Sequence, residues 1–325
     1  MTPARHKALI KQWLSQKHIA PDKTEQALAI ATVTPPASAW FGFLDRLLLS
    51  NGVGLILIGL IFFFAFNWQE ITRFHKFAML ELLIVGTLVA HYKFATKANA
   101  NYLILVASVL LGVLLAFYGQ TYQTGADTWQ LFAMWALLIS PWVLLARFAA
   151  LWMLWLILAN LSLMLYYQVF HGLFGLVFSG TAMQWALWLF NTLALIIWEF
   201  AAKRYSWLSQ SRSQVRLLAI VTHFNMVWLM IDFIFSHGFR DFYLPIIYLA
   251  WLAAFYGYYR YQQLDVFMLA GVSLSVIVIS TAWFSDLLLQ SKDGFALLVI
   301  GLWIMFSSGW AVRHLKAIAQ EVPHE

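Results

Sequence analysis

Apolar runs of about 20 residues recur almost end to end between residues 47 and 311, broken only by short polar stretches. That repetition restricts the fold more than any other feature. A hydrocarbon core roughly 30 Å thick takes about 20 helical residues to cross, so each run reads as a spanning helix. Composition points the same way. With 62% hydrophobic and 10% charged residues and a mean hydropathy of +0.76, the chain lacks the charge that a water-exposed surface needs. The expected fold is all-α, a polytopic helical membrane protein.

Ten spans are expected, at about 47–66, 75–94, 101–119, 129–147, 149–168, 180–200, 214–235, 242–259, 265–285 and 294–311. They divide the chain into a first membrane region, 47–168, and a second, 169–325, which ends in a short tail. Residues 1–46 precede them as a small soluble helical hairpin and a linker. The hairpin's helices are RHKALIKQWLSQKH and DKTEQALAIA, broken at Pro21, with Asp22 and Glu25 at the start of the second. The stretch TVTPPASA reads as a stiff linker, because Pro35 and Pro36 cannot continue a helix.

Ten spans return both termini to one side, and the basic residues say which. A cytoplasmic N-terminus leaves only Arg73, Lys76, Arg240 and Lys292 of the 20 Lys and Arg outside. A bacterial inner membrane with both termini cytoplasmic is therefore the expected location. The net charge of +6 then belongs to short loops beside anionic lipid headgroups, which makes the bilayer the partner and argues against nucleic acid. Residues 1–46 contain no apolar signal core, so the first span is expected to serve as its own insertion signal. The absence of cysteine removes disulfides and thiolate metal ligation, and the nine histidines show no zinc-type pairing. No metal site and no cofactor are expected.

One segment breaks the apolar pattern: FYGQTYQTGADTWQLF, residues 117–132. Asp127 and Gln130 have the spacing of a capping box for the following helix, and Gly125 supplies a free dihedral. That leaves Gln120, Tyr122 and Gln123 unexplained, since amides and phenols at membrane depth are costly unless bonded. The first span ends comparably, with Gly59 eight residues before Asn67 and then Trp68.

Read together, GLILIGLIFFFAFNWQEITRFHKFAMLELL (54–83) and LLGVLLAFYGQTYQTGADTWQLFAMWALLISPW (110–142) resemble a bacterial membrane-protein family, the domain of unknown function 2157. The carrying residues are Asn67-Trp68, Gln120 with Tyr122, and Gly125-Ala126-Asp127. The resemblance covers about the first half of the chain. It implies a polytopic bacterial membrane protein with a small cytoplasmic N-terminal portion and no established activity.

Ionisable groups inside spans are expensive and so mark places to look. Glu81 falls in the second span and Asp232 near the outer end of the seventh, with Asn225 two helical turns before it on the same face. The first reading is that Glu81 pairs with Arg73, Lys76 or a neighbouring helix and that Asp232 snorkels to the outer interface. The sharper reading, which supplies the candidate site, is an outer polar pocket drawn from Asn67, Trp68, Glu81, Gln120, Tyr122, Gln123, Asp127, Asn225 and Asp232. Asn160, Gln184 and Asn191 are expected to bond between helices, and Ser108/Gly112 and Gly271/Ser275 to mark close helix contacts.

No catalytic motif is present, so no catalytic residue is assigned. A non-catalytic envelope or assembly component, with another membrane protein as partner, fits this pattern best. A small-molecule or proton-coupled transporter with an outward-facing polar pocket is the alternative, and a membrane enzyme fits less well.

Overall fold

The computed structural model describes residues 10, 13–14, 16, 18–30, 37–66, 72–94, 100–170, 181–209, 212–236, 243–289 and 294–321. These residues are helical throughout apart from turns. The chain divides into two compact units, Met1–Met79 with Glu321–Glu325, and Leu80–Gln320.

In the first unit, Pro21–Lys23 forms a single 3-10 turn that leads into α1 (Thr24–Ile30), as the DKTEQALAIA pattern requires. Most of the helix expected before it, and Pro35 and Pro36, lie outside the described residues. The next helix, α2 (Ala37–Phe66), is 30 residues long. It begins ten residues earlier than the expected span. The end of the expected linker and Asp45-Arg46 are therefore helical, because prolines block a helix only on their N-terminal side and no further proline follows in the apolar run WFGFL.

The division between units falls within α3 (Arg73–Lys93). From Leu80 onward the second unit continues with α4 (Asn101–Tyr122), α5 (Thr128–Ala146), α6 (Ala149–Val169), α7 (Ala182–Arg204), α8 (Ser213–Ser236), α9 (Leu244–Gly257), α10 (Val266–Leu289) and α11 (Gly294–Gln320). Neighbours in sequence are mostly neighbours in space: α4 packs on α5, α5 on α6, α6 on α7, and α10 on α11. The exception is α8, which packs against both α7 and α10, with α9 beside them. Both membrane regions expected from the sequence contribute to this unit.

Three buried clusters hold it together. Ile104, Ile139, Val143 and Leu151 join α4, α5 and α6. Trp198, Leu218, Phe255, Met268 and Ile318 join α7 through α11 at one end, and Trp185, Met226, Leu229 and Tyr248 join α7, α8 and α9 at the other. Lipid tails are as apolar as leucine, so in a bilayer these clusters act through close fit rather than through release from water.

Among the described residues, nine helices are long and apolar enough to cross a membrane: α2 to α8, α10 and α11. The remaining expected span, the eighth (242–259), is α9, with 14 residues. Its own rise of about 21 Å is shorter than the hydrocarbon core, but the π turn at Tyr258–Gln262 continues it directly. The element runs from the Tyr248 cluster at one end to the Phe255 cluster at the other, so the chain has crossed back when it reaches Asp265 beside Arg216. Pro245 sets its start, and a π turn at Tyr258–Gln262 widens its end before the chain enters α10.

The small-residue spacings behave as expected in one respect and differently in another. Gly112 does mark a tight approach and Gly271 an ordinary contact, and what approaches in each case is a ring: the Trp135 indole covers Gly112, and the His223 imidazole lies beside Gly271. Trp135 is held there by an Nε1–H bond of 2.7 Å to the Ser108 carbonyl. Pro141 does not interrupt α5, which runs through it.

Candidate functional site

The largest concentration of described polar side chains away from bulk solvent lies where α7 ends, α8 begins and α9 passes into α10. Each element reaches it for a local reason. α7 ends with Lys203 and Arg204, cations that suit the negative end of a helix dipole, while Glu199 one turn earlier faces inward and is buried. Arg212 and Arg216 flank the start of α8, where the same dipole disfavours cations. That arrangement stands only with anions close by. Glu199 and Asp265 supply them.

Asp265 also caps α10, accepting a 3.0 Å bond from the Phe267 N–H. Its two oxygens then take a fork from Arg216, with Nη2 at 3.2 Å and Nε at 3.3 Å, and Arg212 Nε lies 3.4 Å away. Glu199 accepts from Arg212 Nη1 at 3.0 Å and from the Tyr259 hydroxyl at 2.8 Å. Arg212 Nη2 is in ion-pair range of the same carboxylate, at 3.0 Å, without hydrogen-bond alignment. Tyr259 reaches Glu199 from inside the π turn.

The Gln263 amide completes the array when its nitrogen faces Glu199 (3.0 Å) and its oxygen accepts from Arg212 (2.7 Å). That orientation is assigned from the neighbours' hydrogen-bonding needs. Burial alone would lower the Arg212 pKa, but its hydrogen bond to Glu199 and the charges of Glu199 and Asp265 outweigh that and hold it above its ordinary value. Two carboxylates meet two guanidiniums, so the formal charge closes to zero. Such an array locks helix ends together; it presents no unpaired carboxylate as a base or nucleophile.

Of the residues drawn into an outer pocket, Asn67 and Trp68 lie outside the described residues, and the described ones stand as follows. Glu81 is exposed on α3, and Asp232 is exposed on α8, beside a shallow dent it shares with Trp228 and Phe235. Asn225 is buried, and its amide donates to Val221 of its own helix at 2.8 Å. It shares a face with Asp232, but the packing that covers Asn225 has ended two turns later.

Gln120 and Tyr122 belong to the last turn of α4, with Gln123 as its left-handed C-cap (φ 45°), and all three side chains are exposed. Tyr122 packs on Tyr118 one turn before, with ring centroids 4.8 Å apart. Gly125 has the positive φ expected of it, 65°. The capping box does not form: Asp127 occupies the N-cap position with extended backbone, but its side chain makes no cap bond, and Gln130 N–H bonds instead to the Asp127 carbonyl at 3.0 Å.

Asn160 and Asn191 meet as expected, exchanging amide bonds of 2.6 and 3.1 Å between α6 and α7. Gln184 is not satisfied the same way, since its Oε1 is buried without a partner. The ionic cluster itself was missed because its basic members were read only as loop charges that orient the chain. The available signals were Asp265 directly before the apolar run VFMLAGV, an N-cap pattern, and the four-residue spacing of Arg212 and Arg216.

No curated protein and no solved structure matches this chain. Residues 11–152, which contain both segments 54–83 and 110–142 but none of the ionic cluster, match the model of the family described as "Predicted membrane protein (DUF2157)", and over its first half the chain is similar to that family of unknown function.

Proposed function

We propose that this protein is a non-catalytic component of a bacterial inner membrane that works by associating with another membrane protein. The observation that carries this reading is the closure of charge within the cluster of Glu199, Asp265, Arg212 and Arg216. Glu199 and Asp265 are saturated by guanidinium, hydroxyl, amide and backbone donors. A proton-coupled carrier or an acid–base enzyme needs a carboxylate held ready to exchange. Glu81 and Asp232 are exposed, which weighs against a dry pocket built on the pair.

Native mass spectrometry of the gently extracted protein tests this. A second protein at fixed stoichiometry is expected. A lone chain that moves a solute or protons across the wall of reconstituted vesicles would overturn the proposal.

The proposed orientation puts both termini in the cytoplasm and rests on the distribution of Lys and Arg. A reporter fused after Gln210 should then be active only as a cytoplasmic reporter, and one fused after Thr124 only as an external one. The reverse pattern would invert the assignment.

A further inference from the structure

A groove of about 550 Å³ runs between α10 and α11, with Tyr256 of α9 at one end. Its α11 wall is the helix face that carries Trp303, Ser307, Trp310 and His314, and its α10 wall extends from Val272 to Ser280. Phe306 and Trp310 on its edge are more than half exposed, which in a spanning helix means turned to lipid. The groove is therefore open to the hydrocarbon phase.

Its depth follows from the helix beside it. At 27 residues α11 rises about 40 Å, roughly 10 Å more than the hydrocarbon core. Its two charged residues, Arg313 and Lys316, stand towards its C-terminal end, so the excess projects there. About 30 Å from Gly294 brings the hydrocarbon boundary to Arg313 and His314. From that level down to Trp303 the groove descends about 16 Å, close to the acyl layer of one leaflet.

Along that descent the hydrogen-bonding groups are already spent. Ser273 donates to the Leu269 carbonyl at 3.0 Å and Ser307 to the Trp303 carbonyl at 2.6 Å. Ser280 donates to Ile277 and accepts from Trp303 Nε1, both at 3.1 Å. Such a wall suits hydrocarbon. At the rim one donor is left over. The Tyr256 hydroxyl and His314 Nε2 lie 2.9 Å apart. If the phenol donates, the neutral imidazole carries its hydrogen on Nδ1, which has no partner among the described residues and is not sealed off. If Nε2 donates, the phenol hydrogen is free. Either arrangement leaves an N–H or O–H unspent at the level of a lipid's ester and phosphate oxygens. Trp310 stacks on the imidazole with planes 4° apart and holds the ring in place.

Charge completes the pattern. Arg313 continues the Phe306–Trp310 stripe by one turn, is exposed, and has no ion pair among the described residues. No Asp or Glu occurs in α11 to neutralise it. We propose that this groove seats one acyl chain of an anionic glycerophospholipid, with its ester and phosphate oxygens accepting from the Tyr256–His314 pair and its headgroup charge meeting Arg313. This inference does not rest on the assembly reading, because a lipid fills the groove whether or not a second protein is bound elsewhere.

The test uses the full chain in detergent micelles with dioleoylphosphatidylglycerol and dioleoylphosphatidylcholine, which share the same chains, their retention read by native mass spectrometry. The anionic lipid is expected at one per chain and about fivefold more tightly held, and Arg313→Gln should remove that preference. Ser273→Phe, which fills the groove from the α10 wall and leaves every charge in place, should weaken both lipids by about tenfold. Both variants are compared at unfolding midpoints close to the parent's.

A photoreactive p-benzoylphenylalanine in place of Val276, which lines the groove and is exposed to lipid, should crosslink to phospholipid in native membranes. Equal retention of the two lipids, retention of neither, a preference unchanged by Arg313→Gln, retention unchanged by Ser273→Phe, or crosslinking of position 276 to a protein would each overturn the proposal.

Discussion

Replacing Glu199 with leucine is expected to destabilise the Leu80–Gln320 unit by about 3 kcal/mol. The loss comes less from the missing attraction than from what remains: Arg212 would be left beside Asp265 with one carboxylate for two guanidiniums, and the Tyr259 hydroxyl would lose its acceptor. Removing one partner of a buried pair costs roughly 3–5 kcal/mol. The lower end applies because Arg212 is 26% exposed and can recover some solvation. Glu199→Gln, which retains an acceptor oxygen, should lose less.

The informative comparison is the double variant Glu199→Leu/Arg212→Met, in which no charge is orphaned. It should recover much of the loss, giving a coupling of about 1–3 kcal/mol in a double-mutant cycle. The measurement is the thermal unfolding midpoint of the purified chain, followed through a cysteine introduced into a core position. The native chain has no cysteine to interfere. Single and double variants that unfold alongside the parent would mean that the cluster is solvated and holds nothing.

Gly112→Ala is expected to be nearly as damaging, by about 2–3 kcal/mol, although it adds only one carbon. An alanine Cβ would fall inside the Trp135 indole, against its Cδ2, Cε2 and Cζ2 atoms. The indole has little freedom to yield: its Nε1–H is bonded to the Ser108 carbonyl and its ring stacks near Phe132, with centroids 6.3 Å apart. Displacing it would also break that bond and loosen the contact between α4 and α5.

Trp135→Leu should therefore be epistatic to Gly112→Ala. With the indole gone, the added methyl should cost less than about 1 kcal/mol, because the volume it needs is already vacant. Thermal midpoints of the two single variants and the double resolve this. Additive losses would show that Gly112 is required for backbone reasons rather than for the ring. Gly59, Gly86, Gly301 and Gly309, where an added Cβ meets nothing within 4 Å, provide internal controls.

By itself the sequence determined the membrane class, the helical content and most of the spans, because hydropathy over 20 residues and the need to satisfy the backbone in lipid are local properties. It also determined the Asn160–Asn191 pair in kind, since an amide in an apolar span must find a partner, and the positive φ of Gly125. It left the polar segment at 117–132 open between a loop and a pocket lining; its Gln120, Tyr122 and Gln123 form an exposed helix end and its left-handed cap.

What the tertiary structure decided was which distant residues meet. Glu199 and Asp265 are 66 positions apart and join only because α7, α8 and α10 bring their ends together, and His223 lies beside Gly271 only because α8 packs on α10. Local periodicity gives each helix an inner face. It cannot say which other helix covers that face, because in a bilayer every apolar surface has lipid as an equally apolar alternative, and only close fit and polar pairing between particular side chains select the neighbour.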